Sequence, residues 1–343
     1  MKPVRTGVIG AGKMGQHHCR VYSNFRGSKF VGVCDANPEA GQRVAALYDV
    51  PYFNNFDDLL AQVDAVSLVT PTPYHFDLAK RCLERGVNVL IEKPITETLE
   101  QAKTLAHMAQ QSGLIVQVGH IERFNSAFGE LKNVLKDMTV LAVDFRRLSA
   151  FENSNQDVDV VLDLMIHDID LALDLVGQPY TSINAQGLTA RSQVIDHATG
   201  QLLFQDGPLV TMTASRVTEQ KVRKIEVTAL EAFLECDLLN KNILVHRRTT
   251  AEMTNHLYRG VKYRQESLVE RIHIPIFEPL LLELQHFVDC IINQETPQVS
   301  ASDGMAALKV ATTIQSTINK QLINIDVSEP LALAMANGNI TTS

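Results

Sequence analysis

No C-x-x-C pair occurs among the five cysteines (Cys19, Cys34, Cys82, Cys236 and Cys290), no H-x-x-x-H spacing occurs among the histidines, and tryptophan is missing altogether. No apolar run approaches the roughly 18 residues that a membrane-spanning helix needs. The first absence argues against a thiol redox pair and the commonest zinc spacings, the second against a two-histidine metal site on one helix. Lack of tryptophan excludes nothing by itself. Four of the five cysteines fall in apolar or helical contexts, where a reduced, buried thiol is expected. With no secretory leader and no spanning run, a cytoplasmic protein is the simplest expectation. Internal repeats and low-complexity tracts are also absent, and a net charge of −8 argues against non-specific binding to nucleic acid.

At 343 residues, with 45% hydrophobic and 20% charged residues, the chain is long enough for two cores. Residues 4–9 read as a short buried strand, followed by the spacing G-x-G-x-x-G at Gly10, Gly12 and Gly15 where a helix should begin. Gly10 suits a tight turn, Gly12 leaves room for a pyrophosphate, and Gly15 lets the helix lie against the strand. Lys13 and Met14 complete this loop, whose helical N–H groups would face phosphates. A second strand ends at Asp35, 20 positions beyond Gly15, where a dinucleotide fold places the carboxylate that binds the adenosine ribose. An unmodified ribose suits that acid, so NAD is expected rather than NADP.

The first 119 residues alternate strands and helices at the pace of a parallel sheet with crossover helices. Thr70, Pro71 and Thr72 open a loop at one strand end, with His75 just beyond it in a position to line the cofactor cleft. Glu92-Lys93-Pro94 ends the next strand. A domain boundary is expected near His120, giving an NAD-binding domain at 1–120, a substrate and oligomerisation domain at 121–328, and a loose or partner-engaged tail at 329–343. In the second domain, strands near 139–148, 181–190, 193–204, 209–217, 221–230, 232–238 and 242–246 have short turns that suit a mostly antiparallel sheet with helices on one face. Ile225, Val227 and Ala229 would then be exposed on the open face of a monomer, and sheet-to-sheet assembly into a homodimer or homotetramer is expected.

Two places can carry chemistry at the nicotinamide end. Lys93 can bind a substrate hydroxyl and stabilise a developing alkoxide; it can equally be a surface lysine at a strand end. Asp163 and His167 stand four apart on one helical face, where an imidazole can accept a hydroxyl proton and a carboxylate can set its tautomer or bind a second substrate hydroxyl. A buried structural histidine is the alternative. Asp163, His167 and Asp168 offer metal-ligand types, but no further ligand has a recognisable spacing, so no metal is expected. His17 and His18 read as helix surface or phosphate-side groups. His120, Arg123 and Asn125 could bind substrate or stitch the domains together. Of Arg146 and Arg147 only one can face inward, and Arg146 is carried as the substrate candidate.

Taken together, the glycine loop, Asp35, the loop at 70–73, Glu92-Lys93-Pro94 and Asp163-x-x-x-His167, in that order, resemble the Gfo/Idh/MocA oxidoreductase family over nearly the whole chain. The resemblance implies an α/β protein: a Rossmann domain followed by an open-faced α+β domain, with Lys93, Asp163 and His167 at the catalytic positions. It also implies NAD as cofactor. Segment 119–125 is similar to that of dehydrogenases that oxidise the 3-hydroxyl of UDP-N-acetylglucosamine ahead of transamination, which implies a role in lipid A or other surface-glycan synthesis. Ser126 stands where a proline is common in them, and 157–161 lacks the glycines often seen ahead of the aspartate. A free sugar or inositol dehydrogenase, and an NAD-binding protein without redox activity, remain as alternatives.

Overall fold

The computed structural model describes residues 2–151, 157–248, 253–254, 262–263 and 267–324, divided into two compact units. The expected tail at 329–343 lies outside them. The first unit takes in 1–133 and also 274–309; the second takes in 134–273 and 310–343. The chain therefore returns to its first unit, where a single crossing near His120 was expected.

In the first unit, β1 (Val4–Ile9), α1 (Lys13–Asn24), β2 (Ser28–Cys34), α2 (Pro38–Leu47), β3 (Tyr52–Phe53), α3 (Phe56–Leu60), β4 (Ala65–Leu68), α4 (His75–Glu84), β5 (Asn88–Glu92), α5 (Leu99–Ser112) and β6 (Val116–Gly119) follow one another. The strands form a parallel sheet in the order β3-β2-β1-β4-β5-β6. Strand order reverses between β1 and β4, and the carboxyl ends of these two strands border the crevice where such sheets bind ligands. Local chemistry sets the helix starts. Asn37 caps α2 through the N–H groups of Glu39 and Ala40, with Pro38 in the first turn. Thr98 and Gln101 form a reciprocal capping box on α5. The α1 start is different: Gly12 offers no side-chain cap, and no acidic residue lies in the first turn.

The return of the chain has an apolar cause. On α8 (Pro279–Asn293), Leu280, Leu284, Phe287 and Val288 are buried in one cluster with Val8, Cys19, Tyr22 and Leu90. That face needs a sheet to cover, and α8 covers the first one.

The second unit begins within α6 (Ser126–Leu135) and continues through β7 (Val140–Leu148), a π-helical turn (Val161–Met165), α7 (Ile166–Val176), β8 (Tyr180–Thr189), β9 (His197–Phe204), β10 (Leu209–Ser215), β11 (Val222–Ala229), β12 (Ala232–Asp237), β13 (Asn242–Arg248), β14 (Met253–Thr254), β15 (Lys262–Tyr263) and β16 (Ser267–Ile272). It is completed by the latter part of α9 (Ala301–Asn319) and β17 (Ile323–Asn324). Its large sheet runs β16-β13-β12-β11-β7-β10-β9-β8-β17; apart from the parallel pairs β7/β10 and β8/β17 it is antiparallel. Met165 of the π-turn and Ile314 of α9 lie over Gly200, and Ile318 lies over Gly187.

The expectation for the open face is corrected here. Ile225 and Val227 are fully buried and Ala229 is 8% exposed, so these residues point into the core. The opposite parity of β11, Lys224, Glu226 and Thr228, forms the open face, which is polar. All five cysteines are buried thiols.

Candidate active site

The glycine loop has the geometry of a cradle. Gly10 adopts φ +105°, and a Cβ there would lie 2.3 Å from the Val69 carbonyl oxygen at the end of β4. At Gly15 a Cβ would lie 1.9 Å from the Gly10 carbonyl oxygen, so the helix can approach the strand only without a side chain. A Cβ on Gly12 would meet nothing within 4 Å. Its bareness serves no protein contact and leaves open space beside the uncapped start of α1. Asp35 lies across this loop, its Oδ1 accepting the Asn37 N–H at 2.7 Å and its Oδ2 accepting the Ala11 N–H. An uncapped helix N-terminus, a cradle that a Cβ would fill and a carboxylate at the end of β2 fit a dinucleotide.

The neighbouring strand ends are tied to one another. His75, 1% exposed, places Nδ1 2.9 Å from the Pro94 carbonyl oxygen and Nε2 2.8 Å from that of Thr70. It clamps the loop after β4 to the Glu92-Lys93-Pro94 turn; the sequence had placed it in the cleft lining. Lys93 is half-buried, and its peptide bond to Pro94 is cis. The Lys93 N–H donates to Glu92 Oε2 at 3.2 Å, and His18 Nε2 lies 3.2 Å from Glu92 Oε1. Burial pushes the Glu92 carboxyl up, but the His18 hydrogen bond, the electrostatic pull of His18 and Lys93, and the Lys93 N–H outweigh it and hold the group below the usual carboxylate range. His18 is fully buried, which corrects the surface expectation, whereas His17 is exposed. Its burial was legible: Gly15, His18, Cys19 and Tyr22 fall at i, i+3, i+4 and i+7, the inward stripe of α1.

After β6, His120 is 1% exposed and Arg123 is 7% exposed, its carbonyl accepting from Gln298 Nε2. The Asn125 side chain accepts the Ala127 N–H at 3.1 Å and donates to Glu122 at 3.0 Å. Asn125 is therefore a helix cap and turn brace in this structure, whatever it does toward substrate.

In the second unit Asp163 lies in the π-turn and His167 in the first turn of α7, both half-buried. Single π-turns inside helices recur at functional sites. Asp159 Oδ1 accepts the N–H groups of Val161 and Leu162, and its Oδ2 accepts from Gln315 of α9. Asp168 is held by Arg147, whose Nε and Nη2 donate to Oδ1 at 2.9 and 2.7 Å with both side chains almost fully buried. Arg147 is thus the arginine on the α7 side. Arg146, the sequence candidate, is exposed on the opposite face because strand side chains alternate. Among the described residues no group of three or more His, Cys, Asp or Glu residues is placed to hold a metal ion, and no helix is long and apolar enough to cross a membrane.

A parallel sheet with this cradle at its switch point defines a dinucleotide-binding protein. Residues 4–120 match the oxidoreductase family with an NAD-binding Rossmann fold, and 119–235 match the GFO/IDH/MocA C-terminal domain. The chain belongs to the Gfo/Idh/MocA family. It is 34% identical over 288 residues to UDP-N-acetylglucosamine 3-dehydrogenase of Acidithiobacillus ferrooxidans, covering 84% of this chain and 88% of that one. A solved structure of that enzyme superposes with a TM-score of 0.85 at 32% identity, over 93% of this chain and 99% of the other. The scyllo-inositol 2-dehydrogenase (NAD(+)) of Bacillus subtilis is 26% identical, covering 94% and 97% of the two chains.

Proposed function

We propose that the protein oxidises the 3-hydroxyl of UDP-N-acetylglucosamine or a near relative of that nucleotide sugar, giving a 3-keto sugar. The observation that carries this reading is the 34% identity to a dehydrogenase of that specificity over 84% of the chain, against 26% to an inositol dehydrogenase. A 3-keto sugar is a substrate for transamination, which puts the reaction ahead of amino-sugar synthesis for lipid A or another surface glycan.

NAD, when bound, supplies the hydride acceptor. Gly10, Gly12, Lys13, Met14 and Gly15 would hold its pyrophosphate and Asp35 its adenosine ribose, with Thr70, Pro71, Thr72 and Glu92 toward the nicotinamide end and His75 holding the Thr70 and Pro94 turns together. His167 takes the proton from the ring hydroxyl while Asp163 fixes the orientation of the imidazole. The role of the Lys93 ammonium is to stabilise the negative charge that builds on the reacting hydroxyl as hydride leaves carbon. His120 and Arg123 are the remaining candidates for the sugar. In this reading His167→Asn loses about 10²- to 10⁴-fold in kcat, the usual contribution of a positioned base, while NADH affinity is kept. Wild-type turnover in that variant removes His167 from the role. Turnover with UDP-N-acetylglucosamine but not with free N-acetylglucosamine or inositol supports the nucleotide sugar; the reverse preference assigns a free polyol, and reduction of NAD with none of them a redox-silent role.

The open sheet face favours a second copy of the chain. Asp144, Glu226 and Glu235 stand in register across three strands as an acidic row, and two residues along Arg146, Lys224 and Asp237 form a mixed one with two cations side by side. Like charges directly opposite are unfavourable in a single sheet. A two-fold partner laid face to face can bring the acidic row over the Arg146 and Lys224 pair. A dimeric or tetrameric mass by light scattering at micromolar concentration supports this assembly, and a monomeric mass contradicts it.

A further inference from the structure

We propose that His18 is a positioning residue for Lys93, acting through Glu92 from inside the sheet–helix interface. The inference rests on the assignment of Lys93 to the reacting hydroxyl and goes beyond it by naming what holds that residue's turn in place.

His18 has no exposed surface, and its helical neighbours on the same stripe, Cys19 and Tyr22, are buried with it. An imidazole in such a place is costly unless it is hydrogen-bonded. Its Nδ1 has no hydrogen-bond partner among the described residues, and Nε2 faces one atom, Glu92 Oε1. A carboxylate only accepts, so the hydrogen of this bond sits on Nε2. The second oxygen, Oε2, accepts the main-chain N–H of Lys93 itself. On a third side stands Gly119 of β6: a Cβ there would lie 2.9 Å from Glu92 Cδ and 3.0 Å from Oε2. Glu92 is thus boxed by α1, by β6 and by the first peptide of the Lys93 turn. The titratable groups that act on it are His18 from α1 and Lys93 from its own strand end, and Gly119 of β6 stands beside it.

His18 lies within one turn of Gly15, so the helix whose N-terminus faces the pyrophosphate also fixes the carboxylate beside Lys93. Removing the Nε2–H leaves that carboxylate with one fewer donor, frees its rotamer and weakens its hold on the lysine turn. A lysine held in a looser turn is more often open to solvent and reacts faster with acylating reagents.

The direct test is competitive acetylation of the full-length protein with acetic anhydride, with Lys93 read by mass spectrometry against exposed lysines. His18→Leu, which keeps volume without a donor, is expected to raise Lys93 labelling several-fold. His18→Gln, whose amide nitrogen can occupy the Nε2 position, is expected to return it close to wild type. In parallel, His18→Leu is expected to lower kcat with UDP-N-acetylglucosamine about 10- to 100-fold, the scale on which displaced reacting groups lose rate. Wild-type labelling of Lys93 in His18→Leu overturns the proposal, as does equal labelling of the Leu and Gln variants. Should His18→Leu fail to fold by circular dichroism, Glu92→Gln is read in its place, with faster labelling expected and wild-type labelling overturning. Lys93→Ala separates the two levels: wild-type turnover in that variant overturns the catalytic assignment, whereas its inactivity beside an unaffected His18→Leu overturns only the role of His18.

Discussion

Gly12 and Gly15 stand three positions apart in the same loop, yet different partners constrain them. Gly15 is fenced by the Gly10 carbonyl, so Gly15→Ala must displace backbone, and a fall in melting temperature together with weaker NADH binding is expected. Gly12 has φ −67° and open space where a Cβ would go. Alanine there is compatible with the backbone and adds about 0.4–1 kcal/mol of stability through the unfolded state. Gly12→Ala is therefore expected to melt at or slightly above wild type while binding NADH at least tenfold more weakly, because its methyl occupies space left for the pyrophosphate. Calorimetric melting and NADH titration on the same sample check both halves. The glycine spacing was fully legible in the sequence. His75 was legible only as a residue near the cleft, because its work is to join two main-chain carbonyls, and main-chain partners leave no sequence mark.

At the scale of elements, the turn that carries Asp163 depends on Asp159, which caps two of its N–H groups and accepts from Gln315 of α9. Asp159→Ala is expected to lower kcat about tenfold or more through displacement of Asp163 and His167, with NADH affinity unchanged. Unchanged kcat would show that the turn holds its shape without the cap. The sequence showed a helix through this region but not its π-helical opening, because residues four apart share a face in both geometries. The β11 strand shows a different limit. Its two-residue period was read correctly, but the face was assigned the wrong way round. Lys224, Glu226 and Thr228 already marked the solvent side, and apolar Ile225 and Val227 belong under the helices. The role of α8 in covering the first sheet could not be read, since an apolar helix late in the chain gives no sign of which sheet it covers.

For the molecule as a whole, acid sensitivity follows from one buried carboxylate. Asp196 has a fully buried side chain and accepts from the N–H groups of Ala190, Arg191 and Ser192, the Ser192 hydroxyl and Arg216. Burial pushes its pKa up, and these donors more than reverse the shift, holding it well below the usual range. A depressed folded pKa contributes stability above the unfolded value, about 3.9, that is lost as pH falls through the folded one. Asp196→Ala is expected to cost about 3–5 kcal/mol at neutral pH, because it removes the carboxylate that balances the buried Arg216 guanidinium. Below about pH 4 the gap between variant and wild type should narrow. Denaturant unfolding across pH measures it, and a gap that stays constant would contradict the assignment.

Hydride loss from carbon 3 of a UDP-sugar is tested most directly by isotope transfer. The protein is incubated with NAD and UDP-N-acetylglucosamine deuterated at carbon 3, and the reduced cofactor is weighed by mass spectrometry. NADH carrying one deuterium is expected. Unlabelled NADH would place the chemistry on another carbon, and no reduction would remove this sugar as the substrate.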